Sequence, residues 1–237
     1  MTDRDTTAPA DTVLLVGASR GLGLALAAAY LDRGAQVVAT VRGDDHPELR
    51  RLAEQGDGAL TIEHVDIDRP DEVEALRDRL GGARFTVLHV NAGVTHREDL
   101  TVADIDTDEF IRVMVTNALS PLRLIERLDG VVDPHGTIAV MSSGQGSIAN
   151  NERGGFEVYR ASKSALNQLM RSYAARHRDD PRTLLLLAPG WVRTALGGPG
   201  ARLTPQESAV DVVETVLAQR GHGGLQFLDR HAGTVAW

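Results

Sequence analysis

No cysteine occurs among the 237 residues, which removes disulfides, thiolate metal sites and cysteine nucleophiles together. Positive charge is scarce as well. A formal net charge of -8 leaves no basic field to hold a nucleic acid or an anionic membrane surface. Long apolar runs are missing: Leu22 to Leu31 is the strongest, about half of what a bilayer crossing needs. The first eleven residues, MTDRDTTAPAD, are polar and acidic where a secretory leader would carry an apolar core. They read as a flexible tail (1–11) ahead of one domain (12–237), and a soluble, cytoplasmic protein is expected. Lysine is nearly absent too. Of the 25 lysine and arginine residues, only Lys163 is a lysine. A surface tolerates either cation, so a lone lysine marks a place where a compact ammonium is needed.

What is present is a regular alternation. Short apolar runs at Val13–Val16, Gln36–Val41, Thr61–Val65, Phe85–Val90, Thr137–Met141, Thr183–Ala188 and Gly224–Leu228 read as strands. Amphipathic helical patterns lie between them: Leu22–Arg33, His46–Glu54, Pro70–Leu80, Asp108–Leu128, Tyr159–His177 and Ser208–Gln219. Continuous apolar strands separated by helices imply a parallel sheet covered on both faces. Right-handed crossovers then make it doubly wound. The expected fold is α/β: a Rossmann-like doubly wound seven-stranded parallel sheet flanked by helices, in a single domain. Two glycine-rich stretches, Gly144–Gly155 and Gly197–Gly200, are candidate loops over a site. His96 and Arg97 follow the fourth strand and read as an exposed loop pair, with a place at the entrance to that site as the alternative.

The first strand runs into Gly17-Ala18-Ser19-Arg20-Gly21-Leu22-Gly23 and then a helix. Gly17 lets the chain turn tightly out of the strand, Gly21 admits a pyrophosphate against the backbone, and Gly23 permits close helix–strand packing. The helix N-terminus supplies free N–H groups and the positive end of its dipole. Placed at the first strand–helix junction, this turn is expected to bind a dinucleotide. An NAD site would put an acid at the end of the second strand, and Val41 stands there instead. Arg42 follows, and Arg20 lies in the turn; two guanidiniums suit a 2′-phosphate, which favours NADP(H). Asp44 and Asp45 would oppose this reading if the register slipped by a few residues.

The chain's only lysine stands four residues after Tyr159, in Tyr159-Arg160-Ala161-Ser162-Lys163. Positions i and i+4 share a helix face, so phenol and ammonium can enter one cleft. Neither Tyr30 nor Tyr173 has such a partner. A phenol ordinarily titrates near 10; a neighbouring cation lowers that value and makes proton exchange near neutrality feasible. Upstream, a strand ends in Ser142-Ser143, and either hydroxyl could polarise a substrate oxygen.

These motifs resemble the short-chain dehydrogenase/reductase family over residues 12–237. The G-x-x-x-G-x-G spacing is the family's, with Val16 where a threonine that braces a neighbouring loop is usual. Ser143-Gly144-Gln145-Gly146-Ser147, Gly154-Gly155, Tyr159 to Lys163, Gly190-Trp191 and Trp237 look similar to its C-factor-like carbonyl reductase branch. The resemblance implies a set of site residues. Asp66 and Ile67 would meet the adenine, and Asn91, Ala92 and Gly93 would lie beneath the adenosine. Asn117 would sit in a kinked helix and hold a water serving Lys163. Ser143 rather than Ser142 would be catalytic, although Tyr159 stands 16 residues further on, more than is usual in the family. Pro189, Val192 and Thr194 would meet the nicotinamide end, with Ser19 and Leu22 contributing from the first turn. The implied activity is NADPH-dependent hydride transfer to a small or medium carbonyl, with Tyr159 as general acid. A homodimer or homotetramer is expected through the Asp108–Leu128 and Tyr159–His177 helices. Two alternatives share the fold: a non-catalytic NADP(H)-binding sensor, and an isomerase or dehydratase.

Overall fold

The computed structural model describes residues 10–96 and 100–237. Most of the expected tail, and Arg97, lie outside the described residues. Asp11, assigned to that tail, is tied in: its carbonyl accepts from Gln36 N–H at 2.7 Å and its carboxylate from the Thr86 hydroxyl at 2.9 Å.

Seven strands form one parallel sheet: β1 (Thr12–Val16), β2 (Gln36–Val41), β3 (Leu60–His64), β4 (Phe85–Val90), β5 (Val132–Met141), β6 (Thr183–Ala188) and β7 (Gly224–Asp229). Their order is β3-β2-β1-β4-β5-β6-β7, so the chain reverses direction across the sheet between β1 and β4. That switch point opens a crevice at the carboxyl ends of the strands. The strands lie within a residue or so of their apolar runs except β5, which begins at Val132 rather than Thr137, with its register shifted between Phe85 and Val87 of β4.

Side chains alternate across the sheet and build two cores. Val13, Leu15, Val37, Ala139 and Leu185 face helices α1 (Gly21–Leu31) and α7 (Pro205–Ala218). Leu14, Val16, Leu88, Ile138 and Leu184 face the opposite layer, which holds α3 (Pro70–Arg79), α5 (Ser120–Leu128) and α6 (Glu157–Arg176). The short α2 (Pro47–Gln55) lies against the β3 edge. No helix among the described residues is long and apolar enough to cross a membrane.

One expectation needs correction. The helical pattern Asp108–Leu128 is not one helix: α4 (Thr107–Met114) and α5 are joined by a π-helical turn, Val115–Leu119, in which Ser120 N–H reaches back to the Val115 carbonyl. The cause is in the sequence. Pro121 has no N–H to give the carbonyl four residues before it, which belongs to Asn117, so the α-helical ladder cannot pass this point unbroken. The turn contains the buried Asn117.

Candidate active site

A single crevice of about 910 Å³ runs along the carboxyl ends of the strands. At one end lies the glycine turn. Gly17 has φ +88°, and a Cβ on it would come within 2.8 Å of the Ala92 backbone; one on Gly23 would strike the Gly17 carbonyl. Only glycine fits either place. The turn is braced by Thr40 and Asn91. Gly17 N–H donates to the Thr40 hydroxyl at 3.3 Å, Ala18 N–H to the Thr40 carbonyl at 2.9 Å, and the Asn91 amide donates to the Gly17 carbonyl at 2.8 Å. Sequence reasoning missed Thr40, because its role exists only once β1 and β2 are paired.

Arg20 and Arg42 both line this end, both exposed, and neither guanidinium forms an ion pair or hydrogen bond among the described residues. The two acids that could have opposed them do not. Asp44 pairs with His64 at 3.3 Å, and neither Asp44 nor Asp45 lines the crevice. Ser19 and Leu22 line it from the first turn. Asp66 and Ile67 form the adjoining wall, with an Asp66 carboxylate oxygen accepting from Asp68 N–H at 3.0 Å. Asp68 lines the wall as well and was not anticipated. One of its oxygens accepts from the Thr116 hydroxyl at 2.6 Å; the other is buried with no partner among the described residues. Asn91, Ala92 and Gly93 floor the middle of the crevice.

The other end is built from β5, α6 and the loop after β6. Tyr159 and Lys163 lie one turn apart on α6, 8% and 4% exposed. Lys163 Nζ donates to the Met141 carbonyl at 3.0 Å and stands 5.9 Å from the centre of the Tyr159 ring. Burial pushes the phenol up to about 12, with the Ser143 hydroxyl acting in the opposite direction, and pushes the ammonium down to about 8. The expectation of a depressed phenol is not met: burial raises it instead, because removing a phenolate from water is costly. The two serines separate cleanly. The Ser142 hydroxyl is buried and donates to Asn167 Oδ1 at 2.7 Å, whereas Ser143 faces Tyr159 and accepts from Gln145 N–H at 3.1 Å.

Asn117 does not line the crevice but braces it from behind. Its side-chain oxygen accepts from Val94 N–H at 2.8 Å; its amide donates to the Val94 carbonyl at 2.8 Å and to the Ser162 hydroxyl at 3.0 Å. Gly93 makes room, since a Cβ there would come within 3.3 Å of Asn117 Oδ1 and 3.5 Å of Lys163 Nζ. Pro189, Val192 and Thr194 line the roof, and Thr194 lies close enough to Gly21 that a Cβ there would approach it to 3.2 Å. Phe156, Trp191 and Val235 also line this end and were not assigned to it from sequence. His96 is neither an exposed loop residue nor part of an entrance. Its ring is 5% exposed, lies off the crevice, and neither nitrogen has a partner among the described residues.

Comparison with known proteins agrees with this architecture. The family model described as enoyl-(acyl carrier protein) reductase matches residues 17–220. A 1-hydroxy-2-glutathionyl-2-methyl-3-butene dehydrogenase of Rhodococcus sp. (strain AD45) is 30% identical over 212 residues, 86% of this chain and 90% of that protein. The C-signal protein of Myxococcus xanthus is 33% identical over 156 residues, 64% of this chain and 92% of its own. Among solved structures, a Burkholderia multivorans protein described as a short-chain dehydrogenase/reductase, with bound NADP, superposes with a TM-score of 0.94 at 53% identity, covering 97% of this chain and 100% of that one. A carbonyl reductase of Pseudomonas aeruginosa PAO1 in complex with NADP gives 0.90 at 40% identity, covering 97% and 100%. Fold, turn and relatives converge, and this chain belongs to the short-chain dehydrogenase/reductase family.

Proposed function

We propose that this chain is an NADPH-dependent reductase of small to medium carbonyl compounds. One observation carries the reading: a buried tyrosine and lysine and a half-buried serine occupy one end of a crevice whose other end presents two guanidiniums that are unpaired among the described residues. A 2′-phosphate would sit between Arg20 and Arg42, gripped by charge-assisted hydrogen bonds. The glycine turn and the first N–H groups of α1 would take the pyrophosphate. Asp66 and Ile67 would meet the adenine, Asn91 to Gly93 would underlie the adenosine, and Pro189, Val192 and Thr194 would hold the carboxamide end. When bound, the reduced nicotinamide supplies the hydride.

The chain's own residues then handle the proton. Ser143 donates a hydrogen bond to the carbonyl oxygen and holds it against the phenol. Tyr159, protonated at neutral pH, gives its proton to that oxygen as negative charge develops there. The Lys163 ammonium steadies the phenolate left behind. Its own anchor on the Met141 carbonyl fixes it relative to the strand that carries Ser143. Asn117 contributes by holding the backbone at Val94 against α6 through Ser162.

The test is the loss of NADPH absorbance with a panel of aldehydes and ketones, run in parallel with NADH. Turnover with NADPH well above that with NADH is expected; cofactor binding with no consumption across the panel would favour a sensor. We further propose a homodimer or homotetramer through α4, α5 and α6, because Phe110, Ile111 and Leu169 are exposed there. A monomeric mass by light scattering at micromolar concentration would end that idea.

A further inference from the structure

Phe156 occupies a backbone conformation that its side chain disfavours. It has φ +52° and ψ +35°, in the left-handed region, immediately before α6 and three residues ahead of Tyr159. The two residues before it, Gly154 and Gly155, also have positive φ, at +65° and +70°, and are glycines, as that geometry favours. A third glycine would relax the turn completely. Nor is the position needed as a helix cap, since the Phe156 side chain makes no capping hydrogen bond. The strain must therefore be offset by what the ring does. The ring is half-buried and lines the crevice together with Tyr159, Ser143 and Gln145.

A second aromatic reaches the same end from the loop after β6. Trp191 is 55% exposed, and its indole N–H donates to the Gly197 carbonyl at 2.8 Å, fixing the ring while leaving much of it uncovered. Leu196 and Val235 add apolar surface. The arginines that line the crevice, Arg20 and Arg42, are those of the nucleotide end. Aromatic rings gain from offset or edge-on contact with other rings beyond simple burial. Gln145 supplies a polar note: its Oε1 is buried with no partner among the described residues, so a donor on the substrate would find an acceptor there.

We infer that Phe156 is a specificity-determining residue that, with Trp191, selects aromatic carbonyl compounds over short aliphatic ones. This rests on the reductase reading above and names the substrate class for the same site. In Phe156→Asn the new side chain tolerates the left-handed conformation, so strain and aromatic face are removed together. The melting temperature is expected to hold or rise, NADPH affinity to stay within about twofold, and the benzaldehyde-to-propanal ratio of kcat/KM to fall about tenfold. Phe156→Tyr should restore that ratio. In parallel, benzyl alcohol binding to the NADP-loaded protein, followed by Trp fluorescence, should weaken in Phe156→Asn to a similar degree.

The second measurement separates this inference from the reading beneath it. If the protein reduced no carbonyl yet bound benzyl alcohol in a Phe156-dependent way, the aromatic site would stand and the reductase would not. An unchanged ratio, or benzyl alcohol binding that ignores the Asn substitution, overturns the inference. So does a drop in melting temperature with equal losses on both aldehydes, because that is what a purely structural ring would give.

Discussion

The two ends of the crevice are made by different means. At the nucleotide end the working parts are backbone and exposed charge: glycines where no Cβ fits, N–H groups at the start of α1, and two arginines in solvent. At the reacting end they are side chains almost wholly removed from water, each held by named partners: Lys163 on the Met141 carbonyl, Asn117 on Val94, Ser142 on Asn167. The first arrangement binds by backbone shape and exposed charge. The second tunes proton affinities through burial, so its groups act as a unit. Changes at the first end should therefore move affinity, and changes at the second should move turnover.

The largest expected effect tests that division directly. Tyr159→Phe should reduce turnover by about 10² to 10⁴-fold, the usual contribution of a positioned general acid. NADPH affinity and the circular dichroism spectrum should be retained. A folded Tyr159→Phe protein with full activity would break the catalytic assignment. One that lost cofactor affinity instead of turnover would break the contrast between the ends.

Lys163 comes next. Its ammonium is held down to about 8 by burial, so the charged form prevails below that pH and is lost above it. The wild-type rate of reduction should fall as pH rises through about 8. Lys163→Arg keeps its charge across this range and should lack that limb, while turning over about 100-fold more slowly because the larger guanidinium misplaces its charge. Near-wild-type turnover in this variant would show that the lone lysine is an accident of composition.

At the nucleotide end the effect should be smaller and of another kind. Arg42→Asp should weaken NADPH binding by about 10- to 100-fold, as expected for losing a charge-assisted contact, and should affect NADH less. Calorimetric titration with both nucleotides reads this out. Equal losses for the two would show that Arg42 does not meet a 2′-phosphate.

The smallest effect concerns the core beneath both ends. The Tyr30 hydroxyl and His89 Nδ1 lie 2.9 Å apart, fully buried between α1 and β4. Burial pushes His89 down to about 3 from an ordinary 6.5. The folded protein thus keeps it neutral while the unfolded chain takes up a proton near 6.5. Stability is full above that pH and declines as pH falls toward 3. The double variant Tyr30→Phe/His89→Leu removes both polar partners together. It should stay within about 1 kcal/mol of wild type at pH 7 and lose less stability on acidification. Chemical denaturation at pH 7 and pH 5 measures both.

Much of this was legible in the sequence for a physical reason. The strands are short apolar runs fixed by burial on both faces, the glycine turn is a backbone constraint written as residue type, and Tyr159 and Lys163 are one helical turn apart. What escaped depends on distant parts meeting. Thr40 braces the turn only through strand pairing, Asp68 finds Thr116 only after the π turn is in place, and the strain at Phe156 is invisible without its φ. The π turn at Asn117 is an intermediate case. The apolar periodicity ran through it as one helix, and only the family resemblance pointed to a kink at Asn117.

The burial of Lys163 has a preparative consequence. Apart from the amino terminus, the ammonium in the crevice is the chain's only amine. Acylating or reductive-alkylating reagents, which decorate most proteins at dozens of surface sites, have one side-chain target here, and it is nucleophilic from mildly alkaline pH upward. Modification stoichiometry by intact mass is thus a direct readout of access to the reacting end. A bound nucleotide that shields the lysine would register as the disappearance of a single adduct.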